Sequence, residues 1–403
     1  MKNINSIAIV WEQKEWGGVD SYLNYFINSK SFKEISITIF TNKNNKGLKR
    51  FIKNNINKKI EIIEYFSFLS ISSKNNFVRK ILYLLAPLFF VITFFQFKKI
   101  FYKKKFDVLI GQCGGFGSIR GELAALLAAN KKYFILKTLV IHHASTFPPI
   151  CFGNLVYLIN FLLARTLSSV IFISEATKNT VFYKSNLLDR DNMQALIIQN
   201  GVPVFEGNKS YVESKKIFDV AVISRIEEYK GHLDLVSAYD KLQKKYKDKL
   251  KFHFIGSGDD LILNNLKSFV ESINASNNFI FHNYLDLNTE QILSDKDLIL
   301  SLTRSFEGCG LTILEALSYG VPVMITNVGA ISEYYNSNFC KIINPSSIND
   351  ITKELMDFVD NNENWIIKAK AGKDYVRNTL NQDIMGNNYL MHFTQKINFP
   401  LNN

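Results

Sequence analysis

Short apolar runs alternate with segments of helical length along the whole chain. In the first half the runs are Ser6–Trp11, Ile35–Thr41, Lys59–Tyr65, Phe106–Gln112, Thr138–His143, Ser169–Ser174 and Ala195–Gln199. A second series follows at Phe218–Ser224, Lys251–Gly256, Phe279–Tyr284, Leu298–Thr303, Pro322–Thr326 and Lys341–Asn344. Several runs are continuous rather than alternating, as expected of strands covered on both faces. Strand–helix alternation on this scale predicts parallel sheets built from right-handed crossovers. Two series predict an α/β chain of two doubly wound domains. Strand signal stops at Asn200-Gly201-Val202-Pro203 and the polar stretch to about Lys216, where turn residues cluster. The expected domains are therefore 1–200 and 217–378, with 201–216 as linker and 379–403 crossing back to the first domain.

One segment breaks the alternation. Ile81–Phe95 is almost wholly apolar, with Arg79 and Lys80 before it and Lys98, Lys99 and Lys103–Lys105 after it. A helix of that length reaches only about 22 Å, short of the ~30 Å hydrocarbon layer, and Pro87 interrupts it. A membrane span is disfavoured. A buried helix of a large domain and an interfacial segment between 78 and 105 that dips into a membrane both stay open, and the basic flanks favour the second. Charge supports the same preference. Of the 403 residues, 48 are Lys or Arg and 36 Asp or Glu, a formal +12. Residues 1–200 hold 27 basic and 11 acidic side chains, net +16, whereas 201–403 hold 21 and 25, net −4. The first half is thus the one expected to meet an anionic partner. Scattered lysines without a nucleic-acid module argue against DNA or RNA. Cys113, Cys151, Cys309 and Cys340 form no C-x-x-C pair, which disfavours a disulfide framework or thiolate zinc site and suits a reducing cytoplasm. The N-terminus has no signal-peptide pattern, its short apolar stretch reading as a first strand.

The strongest chemical signal is Ser305–Glu333, SFEGCGLTILEALSYGVPVMITNVGAISE. It follows the run ending at Thr303. Glu307 lies in the turn, Gly308 and Gly310 permit close backbone approach around Cys309, and Leu311–Ser318 reads as a helix ended by Gly320 and Pro322. Such a loop presents free N–H groups and a positive dipole end to an anion. Glu307 and Glu315 flank that phosphate-sized position. A second signal is Val220–Lys230, VAVISRIEEYK, then Gly231-His232 and an amphipathic helix to about Tyr246. Arg225 and Lys230 follow a strand at the sheet edge where ligands bind in doubly wound folds. There they would neutralise a diphosphate. A weaker signal is Gly17-Gly18 after the first strand, with a helix near Asp20.

The EG-x-G-x4-E spacing of Glu307 and Glu315 resembles the paired-glutamate signature of the retaining glycosyltransferases of family 4. Arg225 with Lys230-Gly231, the Gly17-Gly18 turn, Ile173-Ser174-Glu175 and Asn200-Gly201-Val202 resemble the family's landmarks in the family's order. The resemblance implies two Rossmann-like domains facing across a cleft, the GT-B-type architecture, with a nucleotide sugar bound mainly by the second. By similarity Glu315 would hold the ribose hydroxyls, Glu307 the donor sugar, and Arg225 and Lys230 the diphosphate. The backbone at Cys309, Gly310 and Leu311 would contact phosphate and sugar. The family also places a histidine after an N-domain strand near the donor; His142 and His143 both qualify. This sequence departs from the family in carrying Ser224 before the arginine, Cys309 for an aromatic, Gly329-Ala330 for a glycine pair and Asp20 for glutamate. Cys309 has no base near it in sequence that would make it a nucleophile.

The expected reaction is sugar transfer from a nucleoside diphosphate sugar to a hydroxyl of a glycan or lipid-linked acceptor, with retention, in cell-surface polysaccharide or lipopolysaccharide synthesis. No cofactor or metal is expected. Asp189-Arg190-Asp191 and Asp295-Lys296-Asp297 match a loose D-x-D pattern that arises often by chance, and histidine spacing offers no zinc site. The expected location is the inner face of the cell membrane. The alternatives are a sugar-nucleotide epimerase of the same fold and a non-catalytic nucleotide-sugar or glycan-binding subunit.

Overall fold

The structure, a computed structural model, describes residues 3–398 apart from 15, 56–57, 71–75, 131, 149, 189–193, 208, 210, 212–214 and 283–287. The chain divides into two units, Met1–Asn200 with Gln382–Asn403, and Gly201–Asn381. In the first, β1 (Ser6–Trp11), β2 (Ser36–Asn42), β3 (Ile60–Tyr65), β4 (Phe106–Cys113), β5 (Phe134–Ile141), β6 (Ser169–Phe172) and β7 (Gln194–Ile197) form one sheet. Its order is β3-β2-β1-β4-β5-β6-β7, every pairing parallel. Ile7, Ala8, Ile9, Val10 and Trp11 of the central strand are all fully buried, because helices cover both faces. The winding reverses between β1 and β4.

The second unit holds β8 (Phe218–Ile223), β9 (Leu250–Ile255), β10 (Phe279–His282), β11 (Leu298–Ser301), β12 (Val323–Thr326) and β13 (Lys341–Ile343). The order β10-β9-β8-β11-β12-β13, again parallel, reverses between β8 and β11. Its core stacks Phe252 on Phe279, with Phe254, Tyr239 and Leu300 around them. Two parallel doubly wound sheets are therefore present, as the alternation predicts.

Four details differ from the expectation or sharpen it. β5 begins four residues early, at Phe134, because the polar Lys137 that interrupts the apolar pattern is buried, its ammonium donating to Ala129 O at 3.1 Å. The helix from His232 stops at Asp240, and a separate turn of helix spans Lys244–Lys247. Lys241, Lys244, Lys245 and Lys247 would repel at i,i+3 and i,i+4 in one continuous helix. The apolar segment forms two helices, Asn76–Leu84 and Ala86–Lys103, with Pro87 in the first turn of the second, where its missing N–H needs no partner. Ala86, Thr93, Phe97 and Phe101 are buried, while Leu88, Val91, Ile92 and Phe95 are exposed, Phe95 to 62%. Among the described residues no helix is long and apolar enough to cross a membrane. The last helix, Gln382–Asn398, packs within the first unit: Tyr389 meets Phe26 edge-on at 5.0 Å, and His392 hydrogen-bonds Ser169 Oγ at 2.9 Å.

Candidate active site

The carboxyl edge of the second unit's sheet gathers the charged groups singled out in the sequence. After β8 the chain reaches Arg225, makes a short 3-10 turn at Glu228–Lys230 and reverses at Gly231, whose φ of +75° only glycine adopts readily. A Cβ there would stand 2.1 Å from Leu302 O. That close approach brings Lys230 onto the loop after β11: its Nζ donates to Glu307 at 2.9 Å and to Thr303 Oγ1 at 3.4 Å. Thr303 in turn donates to Glu307 at 3.3 Å. Both members of the ion pair are largely shielded, with side chains 15% and 16% exposed.

A second set of bonds fixes the two loops together. Arg304 donates in bidentate fashion to Asp234, at 2.8 and 2.6 Å, and its backbone N–H bonds Tyr229 O at 2.7 Å. Glu307 is held from the other side by Ala330, whose N–H donates to Glu307 O at 2.9 Å. Gly329 makes this possible. Its φ is +60°, and a Cβ would stand 2.4 Å from Glu307 O.

Gly310, at φ +70°, opens the helix Leu311–Tyr319, and Tyr335 Oη donates to the carbonyls of Cys309 and Gly310 at 2.8 and 3.0 Å. The first N–H groups of a helix have no intrahelical partner, so a helix start of this kind suits an anion. Cys309 is buried. Thr312 Oγ1 reaches Ile223 O at 3.5 Å, setting this helix start against the end of β8, at the reversal of winding. Glu315, half-buried, is one turn further along the helix. Arg225 differs from Lys230: it pairs with Glu227 at 2.6 Å and its side chain is 62% exposed.

The remaining candidates belong to the first unit. The helix there starts at Gly18, earlier than Asp20, with Gly17 as its cap. Gly17 is extended, φ −157°, and a Cβ would meet nothing closer than Asp20 Oδ2 at 3.7 Å. Neither the turn nor its packing demands glycine at 17. His142 is buried beside Tyr22, ring centroids 4.3 Å apart, and hydrogen-bonds Gln112 Oε1 at 2.5 Å. Burial lowers its pKa to about 3, so the ring is neutral at physiological pH. His143, next along the loop, is half-buried.

Sequence reasoning missed Thr303, which bonds Glu307 four residues on and Lys230 far off, and Arg304, Asp234 and Tyr335, whose partners lie far off in the chain. It also missed the loop after β4. There the run Cys113-Gly114-Gly115-Phe116-Gly117 was a readable signal of close backbone approach. Asp189-Arg190-Asp191 lies outside the described residues. Asp297 sits before β11, at the opposite end of the strand from Glu307, accepting from Asp219 N at 2.7 Å and pairing with Lys215 at 2.5 Å. Among the described residues no three His, Cys, Asp or Glu side chains gather as metal ligands.

Two doubly wound parallel sheets, with a glycine-opened helix and a lysine–glutamate pair at the second one's switch point, define a GT-B-type fold. Residues 206–377 match the family model described as glycosyl transferases group 1. An uncharacterized glycosyltransferase of Methanocaldococcus jannaschii is 23% identical over 334 residues, 78% of this chain and 81% of that protein. The O-antigen biosynthesis glycosyltransferase WclY of Escherichia coli is 33% identical over 104 residues, 25% of this chain and 29% of its own. Among solved structures, HepE of Anabaena in complex with UDP and glucose superposes with a TM-score of 0.71 at 14% identity, covering 97% of this chain and 100% of that one.

Proposed function

We propose that the protein is a retaining, metal-independent glycosyltransferase that moves a sugar from a nucleoside diphosphate sugar to a hydroxyl of a glycan or lipid-linked acceptor, in cell-surface polysaccharide synthesis. The observation that carries this reading is the Lys230–Glu307 contact of 2.9 Å beside the helix opened by Gly310. A diphosphate at that helix start receives backbone N–H groups, and Lys230 stands ready to divide its three donors between phosphate and Glu307. Arg225, largely exposed, is free to swing from Glu227 toward the same phosphates. Glu307, oriented by Lys230 and Thr303, accepts from donor-sugar hydroxyls, and Glu315 from the ribose. Cation and helix dipole stabilise the departing diphosphate without a metal. In this reading the acceptor hydroxyl attacks the face the diphosphate leaves, and a departing phosphate oxygen takes its proton.

In the first unit, the turn at Gly17 and Gly18, directly after the strand end, is assigned a ligand-facing role, a Cβ at Gly17 meeting only Asp20 Oδ2 at 3.7 Å. His143 is the better donor-facing histidine, because His142 is committed to Gln112 and the core. The match of WclY to O-antigen synthesis supports a cell-surface product, and HepE makes uridine nucleotides the first donors to test. The exposed apolar residues between Ile81 and Phe95, with basic flanks, support peripheral contact with an anionic inner membrane face.

The test is turnover of a nucleotide-sugar panel with and without glycan acceptors. Lys230→Ala and Glu307→Ala are each expected to lower transfer about 10²–10³-fold while the protein still unfolds cooperatively as a folded chain, and the product should keep the donor's anomeric configuration by NMR. Near-normal transfer in either variant would sink the assignment. Donor conversion without any acceptor would point instead to an epimerase.

A further inference from the structure

The loop between β11 and the helix Leu311–Tyr319 is held by one other segment, the stretch from the end of β12 to Tyr335. Thr326 Oγ1 donates to Thr303 O at 2.6 Å, and Ala330 N to Glu307 O at 2.9 Å. Tyr335 Oη donates to Cys309 O at 2.8 Å and to Gly310 O at 3.0 Å. Four carbonyls of the loop thus accept from the same segment. Gly310 O also closes the first helical turn, accepting from Ile313 N at 2.8 Å.

Holding a carbonyl also fixes a donor. A trans peptide unit is planar, so its C=O and the N–H of the following residue point opposite ways. Fixing Glu307 O therefore aims the Gly308 N–H away from Ala330. Fixing Cys309 O and Gly310 O aims the next two N–H groups, those of Gly310 and Leu311, away from the Tyr335 hydroxyl. Gly310 lies between them in the left-handed conformation, at φ +70°. Successive N–H groups around such a residue form the concave nests in which backbones bind phosphate.

The side chain at 335 does more than fill space. Its ring is buried, with Tyr334 at 6.0 Å and Phe339 at 6.5 Å between centroids, and a phenylalanine would fill that volume equally well. The hydroxyl adds one proton, shared between two carbonyls of the donor loop. Burial holds its pKa well above the usual tyrosine range, so it stays a donor at any physiological pH. We propose that Tyr335 is a positioning residue for the donor's diphosphate. Its hydroxyl holds the peptide units joining Cys309 to Gly310 and Gly310 to Leu311, so that their N–H groups face the phosphates. It acts through those two units rather than by contact with the nucleotide sugar. This rests on the donor site of the glycosyltransferase reading above.

The test is a ligand-observed NMR titration of the parent and of Tyr335→Phe with UDP, GDP and ADP, and with uridine, guanosine and adenosine. The diphosphate that the parent prefers is expected to bind Tyr335→Phe about ten-fold more weakly, the size of one charge-assisted contact. Its nucleoside, which lacks the phosphates, should bind both proteins alike. A purely structural role would weaken nucleoside and diphosphate together, or lower the unfolding midpoint and change neither affinity. Both results overturn the proposal. Should Tyr335→Phe not fold, Gly310→Ala takes its place with the same expectation, because it disturbs the same two peptide units at a φ that alanine rarely adopts. A parent that binds none of the three diphosphates overturns the donor reading and this inference with it. A parent that binds one of them, equally with and without the Tyr335 hydroxyl, overturns this inference alone.

Discussion

Asp20 carries an unusual load for one carboxyl. Fully buried, it accepts from Trp11 Nε1 at 2.7 Å and from Gly17 N at 2.5 Å, tying the end of β1 to the first helix. Burial, outweighing those hydrogen bonds, pushes its pKa from 3.8 up to about 7. The folded state thus binds more protons than the unfolded one between those values. Its contribution is most favourable below about pH 4, is lost as pH rises toward 7, and is flat beyond. The full swing is on the order of 4 kcal/mol. Asp20→Asn removes this titration but offers one acceptor to two donors. Thermal midpoints at pH 5 and pH 8 should therefore show a variant less stable than the parent at pH 5, with a smaller drop on going to pH 8. An unchanged drop would show that Asp20 does not titrate in this window.

At the scale of the element, the helix Ala86–Lys103 shows two faces. Phe97 and Phe101 anchor it, Phe97 meeting Tyr65 at 4.7 Å and Phe101 meeting Phe134 at 4.6 Å. Leu88, Val91, Ile92 and Phe95 stand outward. Leu88→Glu with Phe95→Glu touches only the outward face, so it should leave the unfolding midpoint within about 0.5 kcal/mol. It should also abolish flotation with phosphatidylglycerol vesicles; flotation equal to the parent's would assign those residues another role. The strands were legible because apolar runs bounded by turn residues report burial directly. Among the described residues each predicted run holds one. What the sequence hid were contacts that only the folded sheet creates: Arg304 with Asp234, Tyr335 with the carbonyls at the helix start, and the meeting of Glu12 with the loop after β4. The Lys230–Glu307 contact was legible as a neighbourhood, since both follow strands, but not as a bond. The break after Asp240 needed the mutual repulsion of four lysines to be weighed against an apolar stripe that continues to Tyr246.

At the scale of the whole molecule, charge is divided between the halves of the chain, +16 in 1–200 and −4 in 201–403. Attraction of the first half to an anionic surface should be screened by salt, the Debye length falling from about 30 Å at 0.01 M to about 8 Å at 0.15 M. Vesicle binding is expected to weaken steeply over that range while a residual, salt-insensitive part reports the apolar insertion. Binding that ignores salt altogether would assign the contact to apolar burial alone. The two units differ in another way. Gly201–Asn381 is continuous in sequence, whereas the other unit needs Gln382–Asn398, whose Tyr389 and Phe393 are fully buried in it. On the ribosome, the seven-stranded sheet emerges first yet lacks a piece of its core until every residue of the six-stranded one has been made. Through that interval Phe26 and Phe32 wait uncovered for a partner translated more than 350 positions later, so the order of synthesis and the order of completion are opposite.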